Sequence, residues 1–125
     1  MPVAQDQPSF HFDVDVDLGV LCVTLRGFWT LETVERYAAA LLAHAAVRAS
    51  DPPLRGVLTD LRAAHLHRAT VERALAEFHR RHAPRIARLA VVVRSSLEAE
   101  QAFRISVAEE TRSFATVEAA LQWLA

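Results

Sequence analysis

The chain has no lysine, one cysteine and only three glycines in 125 residues. Each shortage removes a class of chemistry. A lone cysteine, Cys22, permits no internal disulfide. It alternates with apolar residues in a strand-like run and reads as a buried small hydrophobe, not a reactive thiol, which would need an electropositive and partly exposed setting. Three glycines cannot supply a phosphate-cradling loop or a dinucleotide-binding fingerprint. The Gly-x-Ser-x-Gly elbow of a serine hydrolase is absent as well. All 14 basic residues are arginine, which reflects a GC-rich coding bias more than any site. The net charge of −1 sets up no global field toward nucleic acid or an acidic membrane. No apolar run approaches the roughly 18 residues of a spanning helix. The opening "MPVAQDQPSF" has neither the basic start nor the apolar core of a signal peptide. A soluble, cytoplasmic protein without integral membrane association is expected.

What is present is an ordinary globular composition: 52% hydrophobic and 23% charged residues, close to the average for folded domains. A chain this long buries roughly two thirds of its unfolded surface, enough for one core without staples. Residues 1–9, polar with two prolines, read as a flexible N-terminus. Residues 10–125 read as one domain, without repeat or linker.

Periodicity gives the elements. "FHFDVDVD" alternates, with Phe10, Phe12, Val14 and Val16 on one face and His11, Asp13, Asp15 and Asp17 on the other. A turn at "DLG" and a second alternating run, "VLCVTLRGF", make a hairpin. Thr30 caps a helix with Leu31, Val34, Ala38, Leu41, Leu42 and Ala45 inward, and "DPP" ends it. "LRGVLTDL" is a third strand. Thr70 caps a second helix with Val71, Ala74, Leu75 and Phe78 inward, stopped by Pro84. "RLAVVVR" suits a parallel strand buried on both faces. Ser95 caps a third helix, with Glu98 completing a capping box and Leu97, Phe103 and Val107 on its apolar side. "TRSFA" is a short last strand, and Thr116 caps a final helix with Val117, Ala120, Leu121 and Leu124 inward. The order β-β-α-β-α-β-α-β-α predicts an α/β domain: a mostly parallel five-stranded sheet, an antiparallel first edge strand and four helices.

This order, with "GFWTLETVERYAAAL" after the hairpin, "GVLTDLR" in the third strand, "RLAVVV" and the closing "SFATVEAALQWL", resembles the STAS-like (SpoIIAA-like) superfamily. That superfamily includes the anti-sigma-factor antagonists; the likeness is nearer to its uncharacterised bacterial branch. The resemblance implies a regulatory fold acting through protein contacts. In the regulators a strand ending Asp-Leu-Ser leads to an Asp-Ser-Ser or Asp-Ser-Thr step, whose first hydroxyl is phosphorylated. An ungapped comparison sets Asp60 and Leu61 on the leading pair and Arg62 on the first serine. Arg68 falls on the acid, Ala69 on the phosphoacceptor and Thr70 on the following hydroxyl. The usual phosphoacceptor serine is therefore missing, and capping explains Thr70 without phosphorylation.

Several other clusters carry side chains with chemical potential. His65, His67, His79 and His82 are the one imidazole group, but their spacing matches no zinc motif, and Arg68, Arg80, Arg81 and Arg85 surround them. Solvated histidines are the expectation, and no metal or cofactor. "HRRHAPRIAR", residues 79–88, is the one dense basic patch; it lacks interleaved aromatics, so nucleic acid is not expected. Ligands of open parallel sheets sit outside the carboxyl ends of the strands. That edge should collect Trp29, Asp60, Arg62, His65, His67, Arg94, Ser95 and Ser96. There they would hold a small anion or lipid, unless Asp60 pairs with an arginine such as Arg62 or Arg94 and merely orders the loops. Trp29, Leu66, Phe114 and Trp123 are the apolar candidates for an interface. The sequence thus points to a non-enzymatic binding or regulatory module acting on a protein partner or as a homodimer. The alternative is a small-molecule binder at the carboxyl edge of the sheet.

Overall fold

The computed structural model describes residues 7–82 and 86–125. Strict alternation in the first run yields β1 (Ser9–Asp15), which turns into β2 (Val20–Gly27) with Phe12 opposite Val23 and Asp13 opposite Cys22. The turn requires positive φ at Gly19 (φ 68), whose N–H donates to the Asp15 carbonyl at 2.8 Å. The Asp15 carboxylate accepts the Leu18 N–H at 3.0 Å. Then follow α1 (Leu31–Val47), β3 (Gly56–Ala64), α2 (Ala69–His82), β4 (Arg88–Val92), α3 (Ser96–Ile105), β5 (Glu110–Phe114) and α4 (Val117–Leu124). The strands lie in the order β1-β2-β3-β4-β5. Only the β1–β2 pair is antiparallel. The expected architecture is therefore the observed one.

The sheet divides the core. Val20, Leu58, Ala90 and Val92 face α4, where Ala120 and Leu124 meet them. Leu21, Val23, Leu25 and Val57 face the other side, with Trp29, Val34, Tyr37, Leu41, Val71, Leu75 and Phe78. Val91 and Val92 point to opposite faces and are both buried, as the valine run predicts. α4 packs directly against β3, β4 and β5, while α1, α2 and α3 pack chiefly on one another. Close packing of α4 leaves no room at Gly56. A Cβ there would stand 2.7 Å from a Leu124 methyl and 2.9 Å from the Arg88 carbonyl.

Several local expectations change. Of the loose N-terminus, residues 1–6 lie outside the described residues, as do Pro84, read as the stop of α2, and Arg85; β1 already begins at Ser9. Val16 lies beyond β1 and is exposed. The buried stripe of α1 runs through Thr33, Val34, Tyr37 and Leu41, leaving Leu31 52% and Leu42 42% exposed. The reason is the paired hydrogen bonding of Thr30 and Thr33, which cap each other's backbone N–H and turn Thr33 inward. α3 buries Ala99, Gln101 and Ala102, whereas Leu97 (61%), Phe103 and Val107 are exposed.

At Ser95 only half of the box forms. Its hydroxyl accepts the Glu98 N–H at 3.3 Å, but the Glu98 carboxylate accepts the N–H of Arg94, not that of Ser95. α2 starts two residues early. The Glu72 N–H bonds to the Arg68 carbonyl at 2.9 Å, so Arg68 holds the cap position and Thr70 stands exposed in the first turn. β3 runs past Asp60 to Ala64. A register shift in β3 opposite Thr24–Arg26 inserts one extra residue, a bulge that lets the strand continue beside β2. The Cys22 thiol agrees with its inert reading: burial, then the Asp13 and Asp15 carboxylates, push it above its ordinary value.

Candidate functional site

The bulge in β3 sorts the expected site residues. Val57, Thr59 and Leu61 alternate onto the face beneath α1–α3, and the extra residue returns Ala64 to that same face. Asp60 and Arg62 go to the opposite face, where the Glu118 carboxylate of α4 acts on Arg62. The sheet thus separates this pair from the histidines beyond it. Asp60 and Arg62 form a two-pronged pair, Nε to Oδ1 at 3.0 Å and Nη2 to Oδ2 at 2.9 Å. The Arg62 N–H also donates to Oδ1. Partial burial works to raise the Asp60 carboxyl, but the bonds from Arg62 outweigh it and hold the group below its ordinary value.

Arg94 is committed as well. It donates to the Glu98 carboxylate at 2.9 Å and to the Ala64 carbonyl at 3.0 Å. Ser95 is the cap of α3 and Ser96 its exposed first residue. Trp29 has no exposed surface; its Nε1 donates to the Arg26 carbonyl, and its ring meets Phe10, Tyr37 and His67. It is a core anchor, and no docking side chain. Of the other apolar candidates, Phe114 and Trp123 pack on each other and on the α4 cluster. Leu66 is exposed.

The histidines disperse. His65 sits edge-on to Phe28. His79 donates from Nδ1 to the Leu75 carbonyl at 2.7 Å, and Tyr37 O–H points to its Nε2 at 3.5 Å. His82 packs on Phe78. Among the described residues no three His, Cys, Asp or Glu side chains gather as a metal set. In the basic stretch, Arg80 and Arg81 pair with Glu77, and Arg88 lies over the Trp123 ring and pairs with Glu110.

The feature that the sequence concealed lies between the sheet and α1–α3. A cavity of about 430 Å³ runs along the strands, from Leu54, Ile86 and Val107 at their amino ends to Ala64, Leu66 and His67 at their carboxyl ends. Close-packed interiors hold few voids larger than a water, whereas small-molecule pockets measure roughly 300–1,000 Å³. Its walls are mainly aliphatic: Leu21, Val23, Leu25, Leu41, Leu75 and Val91. Beside it, Phe10, Phe12, Trp29, Tyr37 and Phe78 meet in one aromatic cluster of tilted and edge-on rings, of which Tyr37 reaches the cavity. Ala45 of α1 and Ala102 of α3 line it, and their short side chains cannot reach across.

Two residues of this lining each bury a ring nitrogen that has no hydrogen-bond partner among the described residues, His67 Nδ1 and His44 Nε2. Burial lowers the His67 pKa to about 4 against the opposing Glu72 carboxylate, so the ring is neutral at pH 7. Gln101 fixes it in place. The Gln101 side-chain carbonyl accepts the His67 N–H at 2.8 Å. Its amide donates to the His67 carbonyl at 2.9 Å and to Glu72 at 3.0 Å. Glu72 in turn binds the Arg104 guanidinium through both oxygens. One glutamine therefore ties the β3–α2 loop to α2 and α3. A buried glutamine on the helix face that carries Ala102 and Ile105 was the available sequence signal for it.

No protein-family model and no curated protein matches the chain. Solved structures do. An uncharacterised protein of the DUF3478 family from Shewanella loihica, described as having a SpoIIAA-like fold, superimposes with a TM-score of 0.74 over 96% of this chain and 97% of its own, at 17% identity. The fold is SpoIIAA-like. An anti-sigma factor antagonist from Mycobacterium paratuberculosis aligns with a TM-score of 0.58 and 20% identity, covering 93% of this chain and 94% of that one. This chain thus shares its fold with an anti-sigma factor antagonist. Among the described residues no helix is long and apolar enough to cross a membrane.

Proposed function

We propose that this protein is a non-enzymatic binding module whose ligand is a small apolar or amphipathic molecule held between the sheet and α1–α3. The observation that carries the reading is the cavity of about 430 Å³ with its aliphatic walls. Cavities of that character take up apolar molecules, because burial of apolar surface gains about 25 cal/mol per Å². Leu66 and Val107 line it and are 41% and 42% exposed, which offers an entrance near each end. The arginines that would have held an anion at the sheet edge, Arg62 and Arg94, are engaged by Asp60 and Glu98. This moves the ligand from the edge into the interior. Mass spectrometry of an organic extract of the natively purified protein tests it, alongside a thermal-shift screen of lipids and anions. A copurifying apolar molecule, or stabilisation by apolar compounds and not by anions, is expected. A clean extract together with no apolar stabiliser would overturn the reading.

A second reading is a regulatory module acting on a protein partner or as a homodimer in the cytoplasm. The structural likeness to an anti-sigma factor antagonist favours it. It operates without the usual phosphoacceptor serine, since Ala69 occupies that place and Thr70 is the next hydroxyl. Pull-down from the native host and light scattering test it; a strict monomer with no copurifying protein counts against it.

A further inference from the structure

Resting on the homodimer form of the second reading, we propose that two copies of this chain pair antiparallel through β1, joining two five-stranded sheets about a two-fold axis at Phe12. β1 is an edge of the sheet: β2 lies on one side of it and, among the described residues, no strand lies on the other. Such an edge offers a row of N–H and C=O groups ready to pair with another strand. The two edges differ. β5 has five residues and carries Glu110 and Arg112, which pair with each other; short, charged edges resist pairing. β1 has seven residues, with no proline, glycine, lysine or arginine among them. Phe10, Phe12 and Val14 are only partly buried, although they sit on the face that α1 covers. Val47, one turn beyond the His44 that touches Phe12, is 81% exposed. The single chain therefore leaves apolar surface along this edge.

Self-complementarity selects the register. A two-fold axis at Phe12 sets Ser9 opposite Asp15 of the second copy, Phe10 opposite Val14, His11 opposite Asp13 and Phe12 opposite itself. Every residue of β1 then has a partner. The Phe12–Phe12 pair and the two Phe10–Val14 pairs are of the aromatic and aromatic–β-branched kinds that stabilise antiparallel strands. On the other face each His11 meets the carboxylate of Asp13, to which an imidazole N–H donates. His11 and Asp13 are exposed in the single chain, because α4, the helix on that face, rests on β3, β4 and β5. Neighbouring registers lack this match. An axis at Asp13 sets that carboxylate against its own copy, and like charges directly opposite repel. An axis at His11 sets the ring against itself and puts Val14 opposite Pro8, which has no N–H to give. An axis between two residues puts apolar side chains opposite polar ones.

Sedimentation equilibrium and cysteine cross-linking of the full chain test the proposal. The native chain is expected to dimerise. His11→Asp, which puts a carboxylate opposite Asp13, should weaken the dimer by about tenfold, and His11→Asp combined with Asp13→Arg should restore it. Both positions are exposed, so these changes leave the core untouched. For cross-linking, a Cys22→Ser background removes the native thiol opposite Asp13, and His11→Cys and Asp13→Cys are made separately in it. Directly opposite residues of antiparallel strands have Cα atoms about 4.5–5.5 Å apart, within disulfide reach. The diagonal pairs, His11 with His11 and Asp13 with Asp13, stand about 7–8 Å apart. Under mild oxidation a mixture of the two variants should therefore cross-link at least about tenfold faster than either alone. A native chain that stays monomeric at millimolar concentration overturns the proposal and the homodimer form of the second reading together. A dimer that cross-links no better in the mixture, or that His11→Asp leaves intact, overturns the β1 pairing alone and leaves the homodimer reading standing.

Discussion

Gln101 joins the loop that ends in His67 to two helices, and it is the residue on which the carboxyl end of the cavity depends. Gln101→Leu leaves the His67 N–H and carbonyl without their partners. A loss of about 2 kcal/mol in urea unfolding is expected. His67 makes stability depend on pH. The unfolded chain takes up a proton on this ring near 6.5, and the folded chain only near 4. Between those values the unfolded state binds more protons, so stability falls as pH drops from 6.5 to 4 and levels off below. His79, also lowered by burial, adds to the same slope. Unfolding curves across that window should therefore be shallower in pH for His67→Phe than for the native chain. At this scale the sequence places His67 at the carboxyl edge of the sheet. It gave no sign that the nitrogen would be buried, since burial depends on Trp29 and Gln101 arriving from elsewhere.

Among the elements, the strands and three of the four expected caps, all but Thr70, were legible because their signals are local. Thr30, Ser95 and Thr116 each accept the N–H three residues on. Thr30→Ala removes one half of the mutual Thr30–Thr33 arrangement at the start of α1 and should cost about 1 kcal/mol, read as a lowered denaturant midpoint at constant slope. The failures at this scale are non-local. Nothing between Asp60 and Ala64 announces a bulge; it exists because β2 continues alongside. That single extra residue puts Asp60 and Arg62 on one side of the sheet and Ala64 on the other. In α1 the hydrophobic spacing suggested Leu31 and Leu42 inward, but the Thr30–Thr33 exchange and the bulk of Tyr37 rotate the stripe. Leu97 and Phe103 failed for a related reason: α3 turns Gln101 inward to meet the loop, and its larger apolar residues turn out.

For the whole molecule, the mostly parallel sheet, its antiparallel first strand and the four helices were legible in the order of elements, because βαβ connections admit few arrangements. The cavity was not, because a void is a difference between volumes contributed by distant segments. Residues of β2, β3, α1, α2 and α3 line it, and Ala45 of α1 and Ala102 of α3 are alanines too short to fill it. The same alanines give the most direct test that this space is a binding site. Ala102 is buried and lines the cavity, so Ala102→Phe places a ring inside it. Titration of Nile red into the native chain should show saturable binding of one dye per chain. Ala102→Phe should abolish that binding while its melting temperature stays the same or rises. Equal binding by both proteins, or no saturable binding by the native chain, would contradict the account.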